Sequence, residues 1–261
     1  MPPPLLHTTT NATTWITLNR PDVMNALAPE HRDRVIELLD EASGDPAVRA
    51  VVITATGKAF CAGADLRAAP TPPPAPGDVS RTIRHGAQRL ISAVLDCEKP
   101  VLAAVNGTAA GLGAHLALAC DLVLAAESAR FIEVFVRRGL VPDGGGAYLL
   151  PRLVGPRRAK ELMFFGDALP AADAERLGLV NRVVPDADLE KTARAWADRL
   201  AAGPTRALAL TKQLVNASLD ADRATAFAAE AAAQEINMTT ADAREGVASF
   251  VERRSPSYRG R

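Results

Sequence analysis

The stretch GKAFCAGAD, residues 57–65, follows the apolar run RAVVITAT, residues 49–56. A continuous apolar run of this kind is typical of a strand that is covered on both faces, as in a parallel sheet. Just before its one acidic residue, Asp65, the stretch has a run of small side chains. A segment with such small side chains permits either a tight turn or the close approach of another molecule to backbone N–H groups.

A second segment, AVNGTAAGLGAHLALACD at residues 104–121, has the same order of a buried strand, small residues and a helix. Two such strand ends could aim two backbone N–H groups at one carbonyl oxygen, as an enolate-forming or acyl-transfer enzyme requires. The GLGAHL portion is not a dinucleotide fingerprint, because Leu116 occupies the position of its third glycine.

Strands and helices are predicted to alternate up to about residue 185, and helices alone follow from Asp188. The predicted strands include residues 12–21, 49–56 and 100–107, whereas the proline-rich residues 70–78 are predicted to form an exposed loop. This pattern indicates an α/β fold with a helical C-terminal region. The late helices carry apolar side chains, some of which we expect to be exposed on a single subunit: Trp196, Leu200, Leu208, Leu210 and Leu214.

Composition excludes several classes of protein. The 261 residues are 48% hydrophobic, and 30 basic residues balance 30 acidic ones, which argues against a nucleic-acid surface. The cysteines Cys61, Cys97 and Cys120 are too far apart for a metal site or a disulfide framework, so we expect no metal and a reducing cytoplasm. No signal peptide or membrane-spanning run is predicted.

The two small-residue segments, with LNRPDVMNAL near the start, GLVPDGGG in the middle and SFVERRSPSYRGR at the end, resemble the crotonase (enoyl-CoA hydratase/isomerase) superfamily nearly end to end. The resemblance implies an α/β spiral of ββα units over residues 1–200, holding a coenzyme A thioester site. It implies a helical oligomerisation region over 201–261, forming a homotrimer or a dimer of trimers. It also implies an acyl-CoA substrate and no separate cofactor, since coenzyme A is part of the substrate.

By family position, the amides of Ala64 and Leu112 would form the oxyanion hole; the alternative is that both turns are only tight corners. Adenine would contact the backbone near Ala62, Asp65 and Leu66. The phosphates would meet basic side chains, for which the candidates are Arg20 and Arg67, with Arg253 and Arg254 from this or a neighbouring subunit. The full substrate-binding set that the resemblance implies is Ala26, Ala62, Gly63, Asp65, Leu66, Arg67, Gly111, Phe135 and Pro142.

The chain departs from the family's hydratases at both of their glutamates, where it has His115 and Phe135. Glu133 has no role in that pattern and is interpreted as an ordinary polar position. Asp143 matches the carboxylate of isomerase-type members, although an aspartate before a helix is also a favoured N-cap. His115 is either a second acid/base or a neutral, hydrogen-bonded histidine in the pocket wall, and the second alternative is preferred.

One carboxylate suffices for a 1,3-proton shift, so the sequence favours an enoyl-CoA isomerase. In this reaction Asp143 would move the proton, an oxyanion hole would hold the enolate, and Phe135 would exclude water. Two alternatives stay open. One is an enoyl-CoA hydratase that uses Asp143 with His115. The other is a catalytically silent acyl-CoA binding protein.

Overall fold

The computed structural model of the protein describes residues 3–68 and 75–261. Residues 70–74 of the predicted proline-rich loop lie outside the described residues. Within these ranges, the strands form one six-stranded sheet and one four-stranded sheet. The strands of the large sheet are β1 (Leu5–Thr10), β2 (Thr13–Leu18), β3 (Ala50–Ala55), β5 (Val101–Val105), β7 (Leu122–Ala126) and β10 (Arg182–Val184). Those of the small sheet are β4 (Ala59–Cys61), β6 (Thr108–Ala110), β8 (Arg130–Ile132) and β9 (Ala168–Pro170).

The chain passes repeatedly from the large sheet to the small one and then into a helix. The large sheet has the order β1-β2-β3-β5-β7-β10 and is parallel except for β1, while the small sheet has the order β4-β6-β8-β9 and is parallel except for β9. Each pair β3–β4, β5–β6 and β7–β8 therefore begins one ββα unit. This arrangement confirms the predicted spiral.

The helices follow the strand pairs and then continue alone. They are α1 (Pro29–Gly44), α2 (Asp78–Thr82), α3 (Arg89–Asp96), α4 (Leu112–Ala119), α5 (Gly146–Phe165), α6 (Ala171–Arg176), α7 (Leu189–Ala201), α8 (Thr205–Ser218), α9 (Arg223–Met238) and α10 (Ala241–Glu252). A π-helical turn, Ile83–Gln88, joins α2 to α3. Gly155 has non-helical backbone angles and interrupts α5.

The core lies between the sheets and α4. Strand β5 is buried along its whole length, and so is α4, whose eight residues are all covered. A helix that is apolar on every side is stable only when it is enclosed, which explains why LGAHLALA forms a central helix. The ends of β4 and β6 therefore meet the N-terminus of α4 inside the molecule.

The C-terminal helices expose an apolar surface, but through other residues than those predicted. Leu210 is buried, and Trp196, Leu200, Leu208 and Leu214 are half-buried, because their sides of the helices face the rest of the chain. The exposed large apolar residues of α8–α10, with Leu219 directly after α8, are Val215, Leu219, Phe227, Ile236, Met238, Val247, Phe250 and Val251. The division into regions 1–200 and 201–261 stays a prediction. In the described ranges, no helix is long and apolar enough to cross a bilayer.

Candidate active site

The first free amide belongs to Ala64, just after β4. Leu27 N–H donates to the Gly63 carbonyl at 2.8 Å, and Asp65 N–H donates to the Leu27 carbonyl at 2.9 Å. This parallel bridge uses the peptide groups on both sides of Ala64, so the N–H of Ala64 points away from it. The bend requires glycine, since Gly63 has a φ of +97° and a Cβ there would lie 2.9 Å from the Ala110 carbonyl oxygen.

The second free amide belongs to Leu112, the first residue of α4. Gly111 N–H donates to the Ile132 carbonyl at 2.9 Å and ends the pairing of β6 with β8. An N–H group in the first turn of a helix has no partner within that helix. Across residues 3–68 and 75–261, neither Leu112 N–H nor Ala64 N–H donates a hydrogen bond.

The two turns lie against each other. A Cβ on Gly63 would be 3.4 Å from the Leu112 nitrogen, and one on Gly113 would be 2.2 Å from the Cys61 carbonyl oxygen. Two unpaired donors held this close by rigid elements are what stabilisation of an oxyanion requires. The small residues of both segments are thus explained by close backbone approach.

A cavity of about 350 Å³ opens in front of these amides. It brings together most of the predicted site residues: Ala26, Ala62, Gly63, Ala64, Asp65, Leu66, Arg67, Gly111, Leu112, Phe135 and Asp143. Pro142 and His115 do not line it. Six further cavity residues were not predicted, namely Asp22, Val23, Met24, Val134, Arg138 and Leu140. Arg138 lies one helical turn after Phe135, and this spacing could have identified it.

Asp143 lies on the cavity wall with an unpartnered carboxylate. The alternative that it caps α5 is wrong, because Gly145 is the N-cap residue and no side chain caps that helix. The Asp143 carbonyl accepts from Gly145 N–H at 3.0 Å. Its carboxylate makes no hydrogen bond or ion pair with any described part of the chain. A half-buried carboxylate left without a partner is available to a substrate.

His115 lies behind the cavity and contacts Glu133. Its Nε2 is 3.1 and 3.2 Å from the two carboxylate oxygens of Glu133, and its ring stacks on Phe135 with centroids 5.3 Å apart. The preferred interpretation, a hydrogen-bonded histidine in the pocket wall, is correct about the hydrogen bond and wrong about the wall. The interpretation of Glu133 as an ordinary polar position is also wrong, because it is buried as the partner of His115.

An ion-pair cluster is centred on Asp65, the residue after Ala64. The Asp65 carboxylate accepts from Arg67 Nε and Nη2 at 2.9 and 2.8 Å and from Arg20 Nη1 at 3.2 Å. The Arg67 hydrogen bonds, followed by that from Arg20, hold the pKa of Asp65 well below its usual range. Two guanidinium groups on one carboxylate leave a net positive charge at this rim.

Arg20 reaches the rim of the cavity through its contact with Asp65 but does not itself line the cavity. Arg20 also donates to the carbonyl of Ala26, a residue that lines the cavity, at 2.7 Å, so it stabilises the cavity wall. Arg254 is held by Glu245 and Glu252 near the C-terminus, and Arg253 does not line the cavity either. In the part of the chain that the structure describes, no cluster of His, Cys, Asp and Glu could hold a metal ion.

The chain belongs to the enoyl-CoA hydratase/isomerase family, whose model matches residues 8–261. The spiral fold and the paired free amides agree with this membership. The chain is therefore an acyl-CoA enzyme of that family.

Relatives within the family have differing names. The chain is 44% identical over 253 residues to a "Probable enoyl-CoA hydratase" of Rhodobacter capsulatus, with 94% of each chain covered. It is 38% identical over 247 residues to a 1,2-epoxyphenylacetyl-CoA isomerase of Escherichia coli, again with 94% of each covered. The crystal structure of an enoyl-CoA hydratase/isomerase from Cupriavidus metallidurans superposes with a TM-score of 0.91 at 38% identity, covering 98% of this chain and 96% of that one.

Proposed function

We propose that the protein is an enoyl-CoA isomerase that moves a double bond by a 1,3-proton shift. The observation that supports this most is the unpartnered Asp143 carboxylate in the same cavity as the free amides of Ala64 and Leu112. One proton acceptor and one oxyanion site are sufficient for this reaction, whereas hydration also requires a group that activates water.

In the proposed reaction, the thioester oxygen accepts hydrogen bonds from the Ala64 and Leu112 amides. The Asp143 carboxylate removes a proton from C2 of a 3-enoyl thioester, and the C–H electron pair moves into the C1–C2 bond as charge develops on the oxygen. The C3–C4 π pair then takes the proton from the carboxylic acid of Asp143 at C4. The C1–C2 π pair moves to C2–C3 and the C=O bond re-forms, which leaves a 2,3 double bond. Phe135 closes the cavity wall beside this centre and limits the access of water.

The anionic part of coenzyme A is assigned to the positive rim formed by Arg67, Arg20 and Asp65. Arg67 lines the cavity, and its side chain is 65% exposed, so its guanidinium can meet a phosphate group without a large rearrangement. The oxyanion contacts and this rim together hold the thioester group and the anionic part of the same substrate.

A hydratase is the second candidate, and the name of the Rhodobacter relative favours it. In that case His115 would have to assist Asp143, but its side chain is fully buried and is bonded to Glu133. A silent acyl-CoA binding protein would need no proton acceptor in the cavity.

The test is mass spectrometry of the products formed in deuterated water from a 3-enoyl-CoA, a 2-enoyl-CoA and 1,2-epoxyphenylacetyl-CoA. An isomerase gives a product with a shifted double bond and no added water, whereas a hydratase gives a product heavier by one deuterated water. If both enoyl thioesters are bound but neither is converted, the proposed reaction is wrong. In that case, conversion of the epoxide would identify a different isomerase, and no conversion of any of the three thioesters would favour the silent binding protein.

Replacement of Asp143 tests its role directly. Asp143→Asn should lower kcat about 10²- to 10⁴-fold, as expected for the loss of an acid/base group, while binding of the thioester is retained. The matched control is Asp198→Asn, which alters an exposed aspartate on α7 outside the cavity and should leave kcat unchanged. Turnover by Asp143→Asn at the wild-type rate would exclude this carboxylate as the acid/base.

A further inference from the structure

The buried pair of His115 and Glu133 has no role in the proposed reaction as described above. Their side chains are 0% and 6% exposed, and Nε2 of His115 lies between the two carboxylate oxygens of Glu133 at 3.2 and 3.1 Å. Nδ1 of His115 is buried and has no hydrogen-bond partner among the described residues. An unsatisfied buried polar atom is costly, so its presence in the core requires an explanation.

The His115 ring supports two parts of the cavity at once. One face stacks on Phe135, with an angle of 12° between the ring planes. The glycine run after Asp143 also lies directly on the ring, since a Cβ on Gly146 would be 2.1 Å from Nε2 and one on Gly144 would be 3.5 Å from Nδ1. At Gly146 only glycine allows this contact, so the turn that follows Asp143 rests on the His115 ring.

Charge balance predicts how many protons the pair holds. A neutral histidine beside an ionised Glu133 would bury a net negative charge, which is expensive in the core. One further proton makes the pair neutral, as an imidazolium with a carboxylate or as an imidazole with a carboxylic acid. In both forms Nδ1 carries a proton, because Nε2 is engaged with Glu133. The groups packed on the ring from the other elements, Phe135 and the glycine run, are uncharged, and Asp143 is the ionisable residue that precedes that run.

We infer that His115 is a positioning residue: the neutral, proton-sharing His115–Glu133 pair fixes the Asp143 turn and Phe135 around the reacting carbons. This inference rests on the proposed function, since it assigns the acid/base step to Asp143. His115 acts through the turn that it supports and does not touch the substrate.

The protonation state can be measured independently of activity. The chain has four histidines, so ¹⁵N labelling of histidine gives few signals, and a His115→Phe/Glu133→Met double variant assigns the one from His115. We expect Nδ1 of His115 to carry a proton in the wild-type protein, and Glu133→Gln to leave the proton on Nε2 alone. A bare Nδ1 in the wild-type protein at neutral pH would overturn the inference.

The positioning role is tested by kinetics on the same variants. The double variant keeps an aromatic ring and removes both polar groups together, so no charge is left unpaired in the core. For it and for Glu133→Gln, kcat should fall about 10- to 100-fold while KM changes little, because a small displacement of a reacting group is enough for such a loss. Wild-type kcat in the folded double variant would overturn the role.

These outcomes are separable from failure of the proposed function. If Asp143→Asn is fully active, the acid/base assignment fails, and the ¹⁵N result still reports the state of the pair. If Asp143→Asn is inactive and the double variant is fully active, only the positioning role fails.

Discussion

Asp65 is the residue whose charge is most strongly controlled by its neighbours in the cavity. Arg67 and Arg20 both donate to its carboxylate, and the lowered pKa follows from these hydrogen bonds. The cluster connects the strand end at Ala64 to the turn at Arg20, so it stabilises the cavity wall as well as placing positive charge there. Its contribution should therefore appear in the pH dependence of stability.

Replacement of Asp65 by Asn should lower the free energy of unfolding by up to about 1 kcal/mol near neutral pH, because its main partner, Arg67, is exposed to solvent. Since folding lowers the pKa of Asp65, the stabilisation is fully present above the unfolded value of 3.8 and is lost as the pH falls below it. Urea unfolding of wild type and Asp65→Asn should thus differ by a constant amount above about pH 5 and converge in more acidic solution. An unchanged difference in acid would contradict the assignment of this carboxylate as the group that the arginines hold.

The contact between Glu133 and His115 could not be predicted from the sequence. Glu133 is 18 positions from His115, and no periodic pattern connects the two. Their contact depends on how β8 lies beside β6 and how α4 rotates under the glycine run, which are properties of the packed core. The place of Asp143 in the cavity, by contrast, could be predicted from its family position, and its acid/base role stays a prediction.

Among the elements, the long apolar strands could be predicted and the short strands could not. Strand β5 has five buried residues, VLAAV, and its run of apolar side chains identifies it. Strands β4, β6, β8 and β9 have three residues each, which is too short for any period to be recognised. The small sheet therefore emerges only from the pairing of successive ββα units, although it determines where Ala64 and Leu112 meet.

The contact between β4 and α4 predicts the effect of adding one methyl group. A Cβ on Gly113 would lie 2.2 Å from the carbonyl oxygen and 2.7 Å from the Cβ of Cys61, so Gly113→Ala must push the two elements apart. We expect a loss of about 1–3 kcal/mol in the free energy of unfolding and a lower kcat, because the Leu112 amide moves relative to that of Ala64. Thermal or urea denaturation and the isomerase assay measure these two effects.

The control for this variant is Gly44→Ala, at the end of α1, where a Cβ would meet nothing within 4 Å. It should leave kcat unchanged and either keep the stability or raise it by up to about 1 kcal/mol, as alanine is the better helix former. Equal stability of the Gly113→Ala protein and wild type would show that β4 and α4 are less tightly packed than described.

On the scale of the whole molecule, the last three helices have more apolar surface than a single chain can cover. Phe250 is 84% exposed and Val251 is 73% exposed, at the end of α10, and Phe227 on α9 is 62% exposed. Large apolar side chains grouped on neighbouring helices are typical of a surface that another protein covers. Association of identical chains through α9 and α10 therefore stays our prediction, as a homotrimer or a dimer of trimers.

Sedimentation at micromolar concentration tests this association. The wild-type protein should have three or six times the 27.5 kDa mass of the chain, and the double variant Phe250→Asp/Val251→Asp should sediment as a single chain, because charges on this surface oppose its burial. Leu6→Ser, on the edge strand β1, is the control and should leave the mass of the assembly unchanged. A single-chain mass for the wild type would contradict the prediction, and an intact assembly in the double variant would place the interface away from the end of α10.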